Sequence, residues 1–216
     1  MTRSSDLEEE DDVDGRATKT ERDLLEVLHE GRPVRPVRGT RTADLDGRRV
    51  LAWWTGFRDE VLARRGELDG QAPALVQTAL AADEEVGALP AGARPGEVFA
   101  AVARGASRVE GPLHPLSTWF EELAQACTGD VGTHELALAA EHVTHPPAGG
   151  GAPVLQAMVP AARALADAER AQVPAVTALT AAYRAAADGA RGTARGGVVD
   201  PVALTVAWFF ERGTVV

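Results

Sequence analysis

Glycine and proline cut most of this chain into stretches of helical length, and the residues between them place apolar side chains at helical spacing. That pattern governs what the chain can fold into. A period near 3.6 residues puts one apolar stripe on each segment, whereas no stretch alternates with the two-residue period of a half-buried strand. Thr42 or Asp44 is placed to cap a first helix running to about Arg65, with Leu45, Val50, Leu51, Trp54, Val61 and Leu62 near helical spacing. Further helices are expected from Ala72 to Val86, Pro95 to Ser107, Pro115 to Ala126 and Thr133 to Val143, the last capped by Thr133. Three more follow from Val154 to Arg170, from Pro174 to Gly189 or slightly beyond, and from Asp200 to Arg212, where Asp200 caps and Pro201 takes the first position. The expectation is an all-α fold of eight helices with no sheet, and a loop at Pro146, Pro147 and Gly149 to Gly151.

Alanine is abundant between Ala161 and Ala187, where it favours helix and lets helices approach closely. Aromatic residues are few, so Trp53, Trp54, Trp119, Trp208, Phe57, Phe209 and Phe210 are expected to carry much of the buried apolar area, as core rather than ligand contacts. The first 40 residues read differently. Asp6, Glu8, Glu9, Glu10, Asp11, Asp12 and Asp14 supply much of the formal charge of −10, and such a block repels itself. A short apolar patch from Thr20 to Glu30 precedes Arg32-Pro-Val-Arg-Pro-Val, whose prolines exclude continuing helix. The domain expectation is a largely disordered acidic leader over 1–40 and a helical domain over 41–216. Arginines are scattered rather than striped, which argues against nucleic-acid binding. No run is apolar for the length of a membrane span. The absence of an apolar signal segment near the N-terminus, with a single cysteine, Cys127, points to the cytoplasm.

Few residues suggest chemistry. His134, His142 and His145 lie in one region, and the last two would share a helix face, but the spacing is no known ligand signature and solvated helix-end histidines are the plainer reading. Cys127 stands at a helix C-terminus, where a thiolate is not favoured, and reads as a small buried hydrophobe. Gly149 to Gly151 lacks the following Gly-Lys-Ser/Thr of a P-loop. Lys19, in the leader, is the sole lysine, so the helical domain has none for catalysis. Ser117 and Thr118 have no histidine–acid context.

Several collinear pieces resemble the DhaL family, the nucleotide-binding subunit of dihydroxyacetone kinases. Ala152 to Leu165 (APVLQAMVPAARAL) resembles the family's Pro-Gly-Asp-Lys/Arg-Thr-Met-x-Asp-x-x-x-Pro-x-x-x-x-Leu helix. Glu110-Gly-Pro-Leu113 is similar to its Gly-Gly-Ala-Ser-Gly-Pro-Leu. Val173 to Thr193 followed by Asp200-Pro-Val-Ala resembles its seventh helix and the Asp-Pro-Gly-Ala opening of the eighth. Leu68-Asp69 falls where the family has Leu-Asp before its metal loop. The resemblance covers roughly Ala43 to Phe210. It implies an eight-helix antiparallel barrel that binds ADP or ATP through two magnesium ions held by three aspartates at one end, an arrangement that supplies the hard oxygen ligands and charge neutralisation phosphoryl transfer needs.

Most of that chemistry is altered here. Asp69 matches the first aspartate, but Gly70-Gln-Ala-Pro-Ala follows without the second or third. Glu110 stands at the phosphate-contacting serine position, beside Gly111, and its charge would repel phosphate. Gly151 and Gln156 occupy later acidic positions, and the capping loop is shortened to Ala194–Val199. The resemblance therefore implies a DhaL-like domain that has lost most of its Mg-ATP site. Its cofactor-binding positions would be Asp69, Glu110, Gly111, Gln156, Arg195 and Asp200, with Asp69 as the residual metal ligand. No catalytic residue and no cofactor is expected. Three functions follow: a non-catalytic binding or regulatory protein, docking a DhaK-like partner; a divergent ketose kinase subunit that works with such a partner and uses Mg2+ and ADP or ATP, drawing on Asp69, Asp83, Glu84 or Glu85; or a barrel repurposed for another small-molecule ligand. In the last case Asp69, Gln71, Glu110, His114, Gln156, Arg195 and Asp200 would line the mouth.

Overall fold

Among the described residues eight helices form, where the punctuation places them. The computed structural model describes residues 44–109, 114–143 and 153–216, except the side chains at 114, 115 and 143. The helices are α1 (Gly47–Ala63), α2 (Ala72–Gly87), α3 (Pro95–Ser107), α4 (His114–Ala126), α5 (Thr133–Val143), α6 (Pro153–Arg170), α7 (Ala175–Arg191) and α8 (Pro201–Gly213). Two 3₁₀ turns, Arg65–Glu67 and Asp69–Gln71, join α1 to α2. Among the described residues there is no strand, and the two isolated β-bridges join Leu45 to Val131 and Arg195 to Val198. The expected leader lies outside the described residues, as does the loop of Pro146 to Gly151.

Two expected caps are corrected. Asp46, not Thr42 or Asp44, caps α1: its carboxylate accepts the Arg49 N–H at 2.8 Å. Leu45 exchanges backbone hydrogen bonds with Val131 at 2.8 and 2.9 Å, so the chain is extended there and the helix cannot begin earlier. Thr133 is inside α5 rather than its cap, because its hydroxyl donates instead to the Val173 carbonyl at 2.6 Å. The free N–H at Gly132 is taken by the Glu135 carboxylate at 2.9 Å. The end of α6 carries no glycine. Gln172 adopts the left-handed conformation, φ 54°, and the Val173 N–H reaches back to the Ala168 carbonyl at 3.1 Å, a Schellman ending.

Each helix packs against its neighbours in sequence, and α8 packs against α1 as well as α6 and α7, so the antiparallel series closes on itself. All of α8 is buried except Pro201, Leu204, Glu211 and Arg212, as expected of a helix covered on nearly every side. Its Phe209 ring lies 4.5 Å from Trp53, 5.3 Å from Phe57, 5.2 Å from Trp119 and 5.2 Å from Phe120 by ring centroids. The interior is thus filled with aromatic side chains. Phe99 and Phe120, not singled out in the sequence, belong to the same block. The Trp53 indole N–H donates to the Phe209 carbonyl at 2.7 Å. On the outer side of this seam Glu60 accepts from both Arg64 and Arg212, and the Arg64 guanidinium lies 4.4 Å from the centre of the Trp208 ring.

Helices α6 and α7 come close together at Gln156 and Gly189. Pro160 stands inside α6 and has no N–H to give the Gln156 carbonyl, four residues earlier. Helix α7 closes on that carbonyl through Gly189, where an added Cβ would sit 2.1 Å from the Gln156 oxygen. Glycine to alanine ordinarily stabilises a helix interior by about 0.5–1 kcal/mol. Gly189→Ala is expected to reverse that sign, destabilising by about 1–3 kcal/mol through forced separation of backbones, which chemical denaturation measures.

Candidate functional site

Antiparallel alternation sorts the connections between two ends of the bundle. The Leu45–Val131 bridge and the Thr133–Val173 bond mark one end. The opposite end gathers the C-terminus of α1 with its two 3₁₀ turns, the end of α7 and the start of α8; the Asp69–Gln71 turn contacts α8. Asp69, Arg195 and Asp200 therefore lie at one end, and Gln156 near it on the first turns of α6, beside Gly189. Glu110 and Gly111 lie outside the described residues, and for His114 only the backbone is described.

What these side chains can do differs. Asp69 is exposed, in the left-handed conformation at φ 45°, a region aspartate tolerates better than most residues. Asp200 is taken up in structure: one carboxylate oxygen accepts from the Val202 N–H at 2.9 Å and the Ala203 N–H at 3.2 Å. The Asp200 N–H in turn donates to the Thr193 hydroxyl at 3.0 Å, and that hydroxyl donates to the Ala190 carbonyl at 2.6 Å. The N-cap expected from sequence is present and bolted to α7. Between Thr193 and Asp200 the chain turns tightly. Arg195 and Val198 exchange backbone bonds at 3.0 and 3.1 Å, and Gly196 and Gly197 both have positive φ, 60° and 85°, a pairing that a two-residue hairpin requires. The side chains of Arg195, Gln71 and Gln156 are exposed.

This donor set does not fit a two-magnesium centre. Magnesium asks for near-octahedral oxygen ligation with carboxylates directly on the ion. Among the described residues Asp69 is the uncommitted carboxylate at this end, and no three His, Cys, Asp or Glu side chains come together anywhere on them. The other acids weighed from sequence are engaged elsewhere: Asp83 pairs with Arg58 at 2.6 Å, and Glu84 and Glu85 with Arg108.

The histidines do not converge either. His134 on α5 meets Glu169 on α6 at 2.5 Å, and His142 meets Glu122 on α4 at 2.7 Å; His145 lies outside the described residues. Cys127 is buried, and burial, with the negative charge of Glu135 adding, pushes its thiol up to about 12. It is a packing residue, not a nucleophile.

A concavity the sequence did not point to lies on the flank. One face of α1 (Arg48, Leu51, Thr55 and Arg58) stands opposite Asp83 and Val86 of α2 across a cleft of about 640 Å³. Residues 89–93 close one end of it. There, α1 begins against the connecting loop so closely that a Cβ on Gly47 would sit 1.9 Å from the Ala93 oxygen. The i, i+3, i+7, i+10 spacing of that face was legible, but only the packing shows that no described helix covers it.

Compared with models of known protein families and with curated proteins, the chain matches none. No helix among the described residues is long and apolar enough to cross a membrane.

Two measurements probe these assignments. Asp200→Ala is expected to cost about 1 kcal/mol of stability, the ordinary worth of such a cap, in thermal or denaturant unfolding. The hydrogen bond to Glu169 raises the His134 pKa above its ordinary value. A raised folded-state pKa means that the stabilisation from this pair is fully present below the unfolded value, near 6.5, and is lost as pH rises through the folded one. Glu169→Gln should bring the His134 titration midpoint down in an NMR pH series, and the stability difference between the two proteins should shrink toward alkaline pH.

Proposed function

We propose that this chain is a non-catalytic binding or regulatory protein of the cytoplasm, built on a DhaL-like helical domain that no longer uses Mg-ATP. The observation that carries the reading is the fate of the carboxylates at the Asp69 end. Asp200 commits its side chain to the first turn of α8, Gln156 has no charge to offer, and among the described residues Asp69 belongs to no group of acids or histidines that could hold a metal ion. A single carboxylate cannot neutralise two divalent cations, and without them the charge developing in phosphoryl transfer is not stabilised. The eight antiparallel helices and the Asp200-Pro201 opening of α8 support the DhaL-like reading, since they are the features that the resemblance implies for packing rather than for chemistry.

Isothermal titration with Mg-ADP and Mg-ATP tests the proposal on the full chain. Heats indistinguishable from dilution are expected. Micromolar affinity for either nucleotide overturns it and favours the divergent kinase subunit.

A further inference from the structure

We infer that the flank cleft between α1 and α2 is a binding site for a small aliphatic carboxylate, with Arg48 holding the acid group and Leu51 and Val86 flanking the chain. This inference does not depend on the fate of the Asp69 end, none of whose candidate residues lines the cleft. It rests on the volume, the wall chemistry and the charge state of the cleft taken together.

At about 640 Å³ the cleft falls within the range of small-molecule sites, which are mostly apolar with a few convergent polar groups. Its walls fit that description. Leu51 is a large apolar side chain left 42% exposed, Val86 and Val98 are buried in the walls, and Leu89 extends the apolar surface at the closed end. None of the lining residues is aromatic, so nothing offers a ring face for stacking, and an aliphatic chain is the better match.

Charge selects the head group. Arg58 is satisfied, donating to Asp83 at 2.6 Å and to Asp59 at 2.7 Å. Asp83 is neutralised by that contact, and Asp46 nearby is committed to capping α1. Arg48 is a cleft-lining cation with no ion-pair partner among the described residues. A guanidinium presents a planar pair of donors that matches a carboxylate. In a chain whose formal charge is −10, an uncommitted arginine at the edge of an apolar cleft is the feature an anion would find. Along α1, Arg48 and Thr55 are about 10 Å apart, room for a chain of about eight carbons before the Arg58–Asp83 pair ends the apolar section.

The cleft is held open by the fold. Gly47 abuts the Ala93 carbonyl, which sets the start of α1 against the 89–93 loop at one end, and the Arg58–Asp83 pair joins α1 to α2 at the other.

The test is a titration of the full ¹⁵N-labelled protein with octanoate, followed by amide shifts, with octanol as the uncharged comparison. Saturable shifts confined to residues 47–58 and 83–98 are expected, with octanol binding at least tenfold more weakly. Arg48→Glu and Leu51→Asp, both at exposed positions, should each weaken octanoate by about tenfold or more, the scale of one charge-assisted hydrogen bond. Both should leave the melting temperature unchanged. The inference is overturned if octanoate fails to saturate up to its solubility limit, if the shifts centre elsewhere, if octanol binds as well, or if either variant binds like the parent protein.

Discussion

Everything in this structure hangs on the seam where α1 meets α8. A helix as apolar as α8 has no stable place at a surface, and a series of antiparallel helices laid side by side would leave it there. The Trp53 indole, donating to the Phe209 carbonyl from a position 156 residues away, ties the first described helix across the last and covers it. Around that bond the rings of Trp53, Phe57, Trp119, Phe120 and Phe209 meet at offset and edge-to-face angles, the arrangement aromatic quadrupoles prefer. Among the described residues the indole N–H groups of Trp54, Trp119 and Trp208 have no acceptor. Those three rings contribute area and shape, and the single satisfied indole contributes direction. Glu60, held between Arg64 and Arg212, seals the same seam from outside.

Much of the fold was legible because its grammar is local. Gly87, Pro95 and Pro174 stop or start helices by backbone restriction, and Asp200 before Pro201 by a side-chain cap, so element identity and most boundaries follow from reading along the chain. What could not be read is what a distant residue decides. Asp46 rather than Asp44 begins α1 because Val131 claims Leu45, and Thr133 gives up capping because Val173 lies within reach of its hydroxyl. Gln172 takes a conformation usually left to glycine because the hydrogen bonds of the turn hold it there. In the first two cases a tertiary partner overrides a propensity that sequence reads correctly in isolation; in the third the local bonds of the helix ending do so.

The same division applies to function. That Asp69, Arg195 and Asp200 share one end follows from counting antiparallel helices. That Asp200 is consumed by its own helix follows from cap chemistry. The flank cleft, by contrast, is a property of spacing between helices: Arg48, Leu51, Thr55 and Arg58 form an unexceptional amphipathic stripe until α2 is seen not to cover it. Pro160 is a further example of one residue acting through another. Its missing N–H leaves the Gln156 carbonyl without that helical donor, at the point where Gly189 of α7 comes against it.

The seam also dictates an order of events during synthesis. Trp53 leaves the ribosome long before Phe209 is made, and a nascent chain stopped short of Phe209 has an open ring with its aromatic side facing water. Because the closing contact joins residues so far apart, its loop-closure entropy must be met late, after the intervening helices have paired with their neighbours. Between the emergence of α1 and of α8 the aromatic side of the unclosed ring is open to water, the kind of surface on which partly folded chains associate.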